Sequence, residues 1–339
     1  MPQTTSQDPG VAGGRREYIL DKITTVEPEA TPFLSSIRKI SGAKSTTVET
    51  LVDDLRPARK SGTKEGEKAT KSNNKAKNRA KVKNNVHRWF DEWAVGEVQS
   101  AIAKNGGQAA VNNEAGRAKA KMITEGKRDM EAILLSDNTP NEGTSDDDMR
   151  SRGAFDWHST AGGAGNLLVP EGYRTPAGNN IDHSSTTTNA LFTEDAFNKA
   201  LKNIKSQHGS KQTLQLYCGN DVQETVDNFS RIQPSSTNNR YLVNQNADSH
   251  EINLTVTIFD SSFARVELIP DEFVKVDAAG AGTGNAGVLA QSEYWELHFM
   301  EDLVTEDHPD DEGAGPWGWA RAMFASLNLN PLAGGIIYE

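Results

Sequence analysis

The stretch ITTVEPEATPFLSSI, residues 23–37, decides how the rest of the chain is read. Tyr18, Ile19, Ile23 and Val26 have the spacing of a short helix, and Pro28 predicts its end near Glu27, because the residue before a proline is pushed out of the helical region. Two prolines, Pro28 and Pro32, then predict an extended, kinked segment that carries Phe33, Leu34 and Ile37 as apolar anchors. Before it, the chain to about Gly14 is rich in Gln, Thr, Ser, Gly and Pro and has no apolar period. That leading stretch predicts an arm ordered only by neighbours, and anchors such as Phe33 and Leu34 would be buried where copies of the chain meet.

After that arm, Thr46 to Leu55 reads as a strand and about Val82 to Val98 as its return. Between Arg56 and Arg88 there are twelve Lys or Arg against Glu65 and Glu67, a balance of +10. The whole chain carries −11, so everything outside this segment carries about −21. A basic projecting hairpin on an acidic body suits a loop of one copy lying on the surface of the next. The cations concerned are Arg56, Arg59, Lys60, Lys64, Lys68, Lys71, Lys75, Lys77, Arg79, Lys81 and Lys83. A merely solvated loop and a nucleic-acid contact stay open beside that reading, since clustered Lys and Arg also neutralise phosphates. Aromatic side chains able to stack on bases come only at Trp89, Phe90 and Trp93, where packing at the hairpin base explains them as well.

The strongest helix runs from about 112 to 135. Ala115, Ala118, Met122, Gly126, Met130 and Ile133 recur at steps of three or four, and the small residues among them predict close packing along that face. Residues 136 to 190 are dominated by Gly, Ser, Thr, Asn and Asp and read as a long surface excursion with anchors at Phe155, Trp157 and 167–170. A second unit opens at Leu191. Thr193 is a helix cap, Phe192 staples to Phe197, and Gly209 stops the helix. Leu214, Leu216 and Cys218 alternate as a strand, and Asn220 caps a second helix that ends before Pro234. Strands are expected at 252–258, 266–269, 273–276, 295–299 and 319–329.

Catalytic and metal chemistry find little footing. The chain has one cysteine, Cys218, which excludes an internal disulfide and a cysteine-based zinc cage. Its seven histidines form no pair of the H-x-H or H-E-x-x-H kind. Gly282, Gly284 and Gly287 make a literal G-x-G-x-x-G, but strand-like YWELHF follows and no helix opens behind them, so a loop between strands is expected. The acidic run 301–312 lacks the spacing of a calcium loop and reads as a solvated turn. No catalytic residue, cofactor or metal is expected. There is no apolar run long enough for a membrane span and no secretory leader, which predicts synthesis in a cytoplasm.

At this point the order of blocks resembles a family of tailed-bacteriophage major capsid proteins. ITTVEPEATPFLSSI is similar to that family's D-x-I-x-x-I-x-P-x-E-T-P-F-L-x-x-I signature. Val52, Asp53, Asp54 and Leu55 resemble its following strand with an acidic pair, and Lys127, Arg128, Asp129, Met130 and Glu131 its spine-helix ending. Met149, Arg150, Gly153, Phe155 and Trp157 are similar to the next block, and SLNLNPLAGGII, residues 326–337, to the C-terminal strand. The Lys-rich 56–88 segment and the polar stretch after Asp137 depart from the pattern.

The resemblance implies an α+β Hong Kong-type phage capsid fold. Its parts would be an N-arm (1–44), an extended loop (45–98), a peripheral domain with a long spine helix (99–190 and 290–339) and an axial domain (191–289). It implies self-assembly as homohexamers and homopentamers into the icosahedral head of a virion, put together in the bacterial host cytoplasm. Separate scaffolding, portal and decoration proteins would be partners, and double-stranded DNA would be enclosed without sequence-specific contact. A cellular nanocompartment shell of the same fold, and a DNA-binding module using residues 56–88, are the competing readings.

Overall fold

The computed structural model describes residues 30–53, 55, 58, 60–68, 79–98, 114–144, 147–162, 168–183, 192–229, 256–277, 280–308 and 315–338. The expected helix at 18–27, Pro28 and the strand residues 252–255 lie outside them.

The chain enters through a short helix, α1 (Pro32–Ser36), not the extended segment expected there. Proline fits the first turn of a helix, where its missing N–H would have had no intrahelical partner. Strand β1 (Arg38–Ser41) follows, then the hairpin strands β2 (Thr47–Val52) and β3 (Ala80–Asn85). The single return strand expected from Val82 to Val98 is two strands. At Val86, whose N–H bonds Thr46 O, the chain leaves β3 and starts β4 (His87–Ala94) in another sheet. That second sheet is four-stranded, ordered β1, β10 (Trp295–His308), β11 (Trp317–Asn328), β4. The solvated turn expected at 301–312 is therefore strand through His308. Its alternating Leu303, Thr305 and acidic residues suit a half-buried ladder against β11, which runs from Glu301 opposite Met323 to His308 opposite Trp317.

The long helix α2 (Glu114–Leu134) covers the inner face of this sheet. Met122, Gly126 and Met130 are buried and Ala118 half-buried, as the helical period predicts. The close approach expected along this face is made by Trp89 of β4. A Cβ on Gly126 would come within 2.7 Å of the indole ring. The same ring nitrogen donates to Asp129 Oδ2 at 2.9 Å.

The expected surface excursion after residue 136 is corrected at its centre. Ser151 to His158 is a continuous buried run containing the short helix α3 (Ala154–Trp157). Buried Arg152 explains how so polar a segment enters a core: its guanidinium forms an ion pair with Asp156, Nε to Oδ2 2.9 Å, and lies 4.6 Å over the Trp157 ring.

A six-stranded sheet forms the second unit, ordered β5 (Ile181–Asp182), β12 (Gly335–Tyr338), β9 (Gly287–Ala290), β6 (Gln212–Cys218), β8 (Ala264–Pro270), β7 (Ile258–Asp260). Helices α4 (Glu194–His208) and α5 (Asn220–Phe229) pack on it. Thr193 Oγ1 accepts the Ala196 N–H at 3.2 Å, Phe192 meets Phe197 with ring centroids 5.7 Å apart, and Gly209 takes the left-handed conformation at φ 75°.

Alternate residues of this sheet serve different cores. Leu216, Leu289 and Ile337 face the second core with α4 and α5, while Tyr217, Val288, Ala290 and Ile336 face the first with α2 and the long sheet. The sheet is thus the wall between the two units. Its strand β12 comes from the chain end, which the sequence division had grouped with the spine helix.

One smaller expectation is corrected. Residues 273–275 lie in a turn and Val276 outside any strand, with Lys275 at φ 46°. At the glycine motif, the Gly284 carbonyl itself accepts the Asp221 and Val222 N–H groups of α5, so the helix start is already satisfied from within the chain.

Candidate assembly site

The hairpin β2–β3 leaves the body with Thr47 opposite Asn85 and Val52 opposite Ala80. Val82 is fully buried at its base, and Val48 and Val52 pack against the same core. Beyond them Leu51 is 62% and Leu55 95% exposed, large apolar side chains on a two-stranded ribbon. Lys60, Lys64 and Lys68 are exposed. Just past the paired strands Arg79 lies 3.6 Å from Asp53, and within them Lys81 bonds Glu49, which holds that carboxylate below its usual range. Two of the expected docking cations are therefore engaged within the hairpin. Lys83 sits opposite Glu49. Arg56, Arg59, Lys71, Lys75 and Lys77 lie outside the described residues.

A buried polar clamp fixes where this ribbon starts. Fully buried Asn84 donates to Ser151 Oγ at 2.8 Å and to the Ser326 carbonyl, and its Oδ1 accepts the N–H groups of Arg152 and Asn85, each at 2.8 Å. One side chain thus joins β3, the segment before α3 and β11. Nothing in the alternation of residues 80–85 marks Asn84 for this role. An Asn pair at a strand end is the one local signal, since asparagine favours chain corners.

The arm is held by a second buried group. Phe33, Leu34 and Ile37 were expected against sister copies, but they lie in the first core of their own chain, 0%, 5% and 5% exposed. The Phe33 ring meets Tyr217 and Trp295 edge-on at 4.9 and 5.3 Å. Pro32 opens α1, and Thr31 makes no side-chain cap. The cap comes instead from α2: Glu131 Oε1 accepts the Phe33 N–H and Oε2 the Leu34 N–H, both at 2.6 Å. Burial beside Asp271 pushes the Glu131 carboxyl up to about 9, and burial raises Asp271 as well. The TPFL stretch and the end of the spine helix are thus two halves of one joint.

The outer face of the long sheet, opposite α2, carries Phe90, Trp319, Arg321 and Arg88. Phe90 stacks on Trp319 at 6.2 Å, Arg321 lies 5.0 Å over Trp319 and Arg88 5.8 Å over Phe90. Glu92 and Glu306 flank Trp319 in register, and Glu301 bonds Arg321 at 2.8 Å. Phe90 remains 50% exposed there. Among the described residues no group of His, Cys, Asp and Glu could hold a metal ion, and no helix is long and apolar enough to cross a membrane.

A ribbon, an arm and a long helix on an extended sheet are parts of a shell subunit, and comparison with known proteins agrees. The family model described as SU10 major capsid protein matches residues 3–315. The chain belongs to that family. No curated protein matches it. Among solved structures, the capsid of cyanophage P-SCSP1u is similar at 12% identity and TM-score 0.60, over 96% of this chain and 93% of that one. The capsid of a native GTA particle is similar at 9% identity and TM-score 0.60, over 98% of both chains. A chain from Mycobacterium phage Bobi is similar at 10% identity and TM-score 0.55, over 96% of both. The capsid protein therefore has the Hong Kong-type phage capsid fold and serves as a structural subunit of an icosahedral head, not as an enzyme.

Proposed function

We propose that the subunit closes its shell as hexamers and pentamers by laying the basic hairpin loop of one copy over acidic surface of the next. The observation that carries this is the hairpin itself: a ribbon with exposed Leu51, Leu55, Lys60, Lys64 and Lys68 gains little from standing alone in water. Glu92 and Glu306 beside exposed Phe90 make the outer sheet face a complementary surface of the right chemistry. On this reading residues 1–44 are the N-arm, 45–98 the extended loop, 99–190 and 290–339 the peripheral domain, and 191–289 the axial domain. The head encloses double-stranded DNA, which needs no base-specific contact. Assembly takes place in the host cytoplasm with separate scaffolding, portal and decoration proteins.

Reversing Lys60, Lys64, Lys68 and Lys75 together to Glu, which leaves the pairs inside the hairpin intact, tests the reading, with circular dichroism as a check that the subunit folds. Negative-stain images of the expressed protein should then show few closed shells. Reversal of Lys75 alone should leave shell yield within about twofold, because a single exposed pair is worth little. Shells of normal size and number from the fourfold variant would overturn the docking of the loop by charge.

A further inference from the structure

We infer that the N-arm is latched to the body by Glu131 and Asp271 acting as one proton-sharing carboxyl pair, and that the arm is released when the pair gives up its proton. Three segments far apart in sequence meet at this pair. Glu131, from the last turns of α2, is fully buried and holds the first free N–H groups of α1 across a separation of 98 residues. Asp271, in the turn after β8, is 5% exposed and accepts the Phe273 N–H at 2.8 Å. The two buried carboxyl groups lie against each other, and Asp271 Oδ2 finds no hydrogen-bond donor among the described residues, so one proton held between the carboxyls satisfies both.

The acidic and apolar surroundings favour keeping that proton, against the Phe33, Leu34 and Phe273 N–H groups, which favour the charged form. From β6 comes Tyr217, whose hydroxyl bonds Ser36 of α1 at 2.7 Å and Gln215 at 2.9 Å. From the turn after β8 comes acidic Glu272, and Glu267 of β8 faces Tyr217. The neighbouring cations are turned to aromatic rings: Arg128 of α2 lies 5.4 Å over Phe273, and Lys275 lies 5.9 Å over Phe155. Two negative charges in contact under Phe33 and Tyr217 would repel, with no solvent to screen them.

Proton loss to solvent base therefore strains the joint, and the weakest of its three members must yield. Helix α2 is 21 residues long and packed along a sheet. The turn at Asp271 is pinned by buried Val274 and by the Lys275 N–H on the Leu135 carbonyl. Helix α1 has five residues and depends on Glu131 for its cap. Because Glu131 binds its proton more tightly when folded, the latch is fully closed below the ordinary 4.5 and weakens as pH rises toward about 9. The inference concerns the folded subunit alone and stands or falls independently of where the basic loop docks.

Hydrogen–deuterium exchange of the full-length protein, corrected for intrinsic exchange at each pH, tests it on a peptide covering residues 31–38. Between pH 6 and pH 10 the protection of the Phe33 and Leu34 amides should fall about tenfold or more, while amides in the middle of α2 change less than about twofold. In Asp271→Asn, which keeps a donor facing Glu131 but removes the shared proton, protection should be flat across the same range. Glu131→Gln should be flat too, at a lower level. Protection in the unaltered protein that does not change with pH would overturn the latch on its own, as would an equal fall in both variants.

Discussion

Gly126 shows how a single missing atom sets a contact. With a Cβ there, the Trp89 ring would be 2.7 Å away, and that ring is tethered by its bond to Asp129. Gly126→Ala gains about 1 kcal/mol of helix propensity but forces an overpacked contact that loses about 1–3 kcal/mol, so the net change should be destabilising. The thermal midpoint should drop by a few degrees. In the Trp89→Phe background the same substitution should lose clearly less, the coupling expected of residues in contact. A Gly126→Ala protein that melts higher than the parent would show that the indole can move aside. Burial of Glu131 is the other residue-scale surprise. A glutamate in KRDME looks like any helix-surface charge until the arm is seen to end on it.

At the scale of elements, the hairpin depends on its clamp. Asn84→Ala removes the acceptor for the Arg152 N–H and the donors to Ser151 and Ser326, all inside the protein. Leaving such groups without partners costs on the order of 2–3 kcal/mol. The thermal midpoint should fall accordingly, and trypsin should cut the Lys-rich loop faster. Asn84→Asp keeps the acceptor, loses the donors and adds a buried charge, so it should be at least as harmful. If Asn84→Ala melts within a degree of the parent, the clamp does not hold the ribbon. The two sheets show a division of labour at the same scale. Residues of β6 that differ by one position serve two cores, which is why its run Leu214 to Cys218 is apolar on both sides at Leu216 and Tyr217.

Across the whole molecule, buried titrating groups pull stability in opposite directions with pH. His158 is fully buried, with Nδ1 bonded to Thr175, and desolvation lowers it to about 4; His87 is lowered to about 4 by burial as well. Histidines kept neutral in the fold contribute fully above their ordinary 6.5, and that contribution fades as pH falls toward 4. Glu131 acts the other way, favouring the fold most below 4.5 and least near 9. Thermal midpoints should therefore be highest near pH 6–7 and fall on both sides. His158 accounts for on the order of 3 kcal/mol of the acid limb. His158→Gln should flatten that limb while lowering the midpoint at neutral pH. An acid limb unchanged in this variant would mean that other groups cause it.

Much of the architecture was legible in the order of residues because it is written locally. Helix α4 with its Thr193 cap and Gly209 stop, the spine helix, the strands around Leu214 and Val266, and the basic ribbon each follow from neighbours within a few turns or a few strand positions. The short arm helix, the buried run 151–158 and the long reach of β10 were misread, because their polar or proline-rich composition argues for exposed chain and only distant partners reverse it. Where the anchors Phe33 and Leu34 are buried, which strand closes the second sheet, and which carboxyl caps the arm depend on contacts between residues dozens to more than two hundred positions apart. Local periodicity carries no information about such pairs; they exist only once two cores and the wall between them have formed.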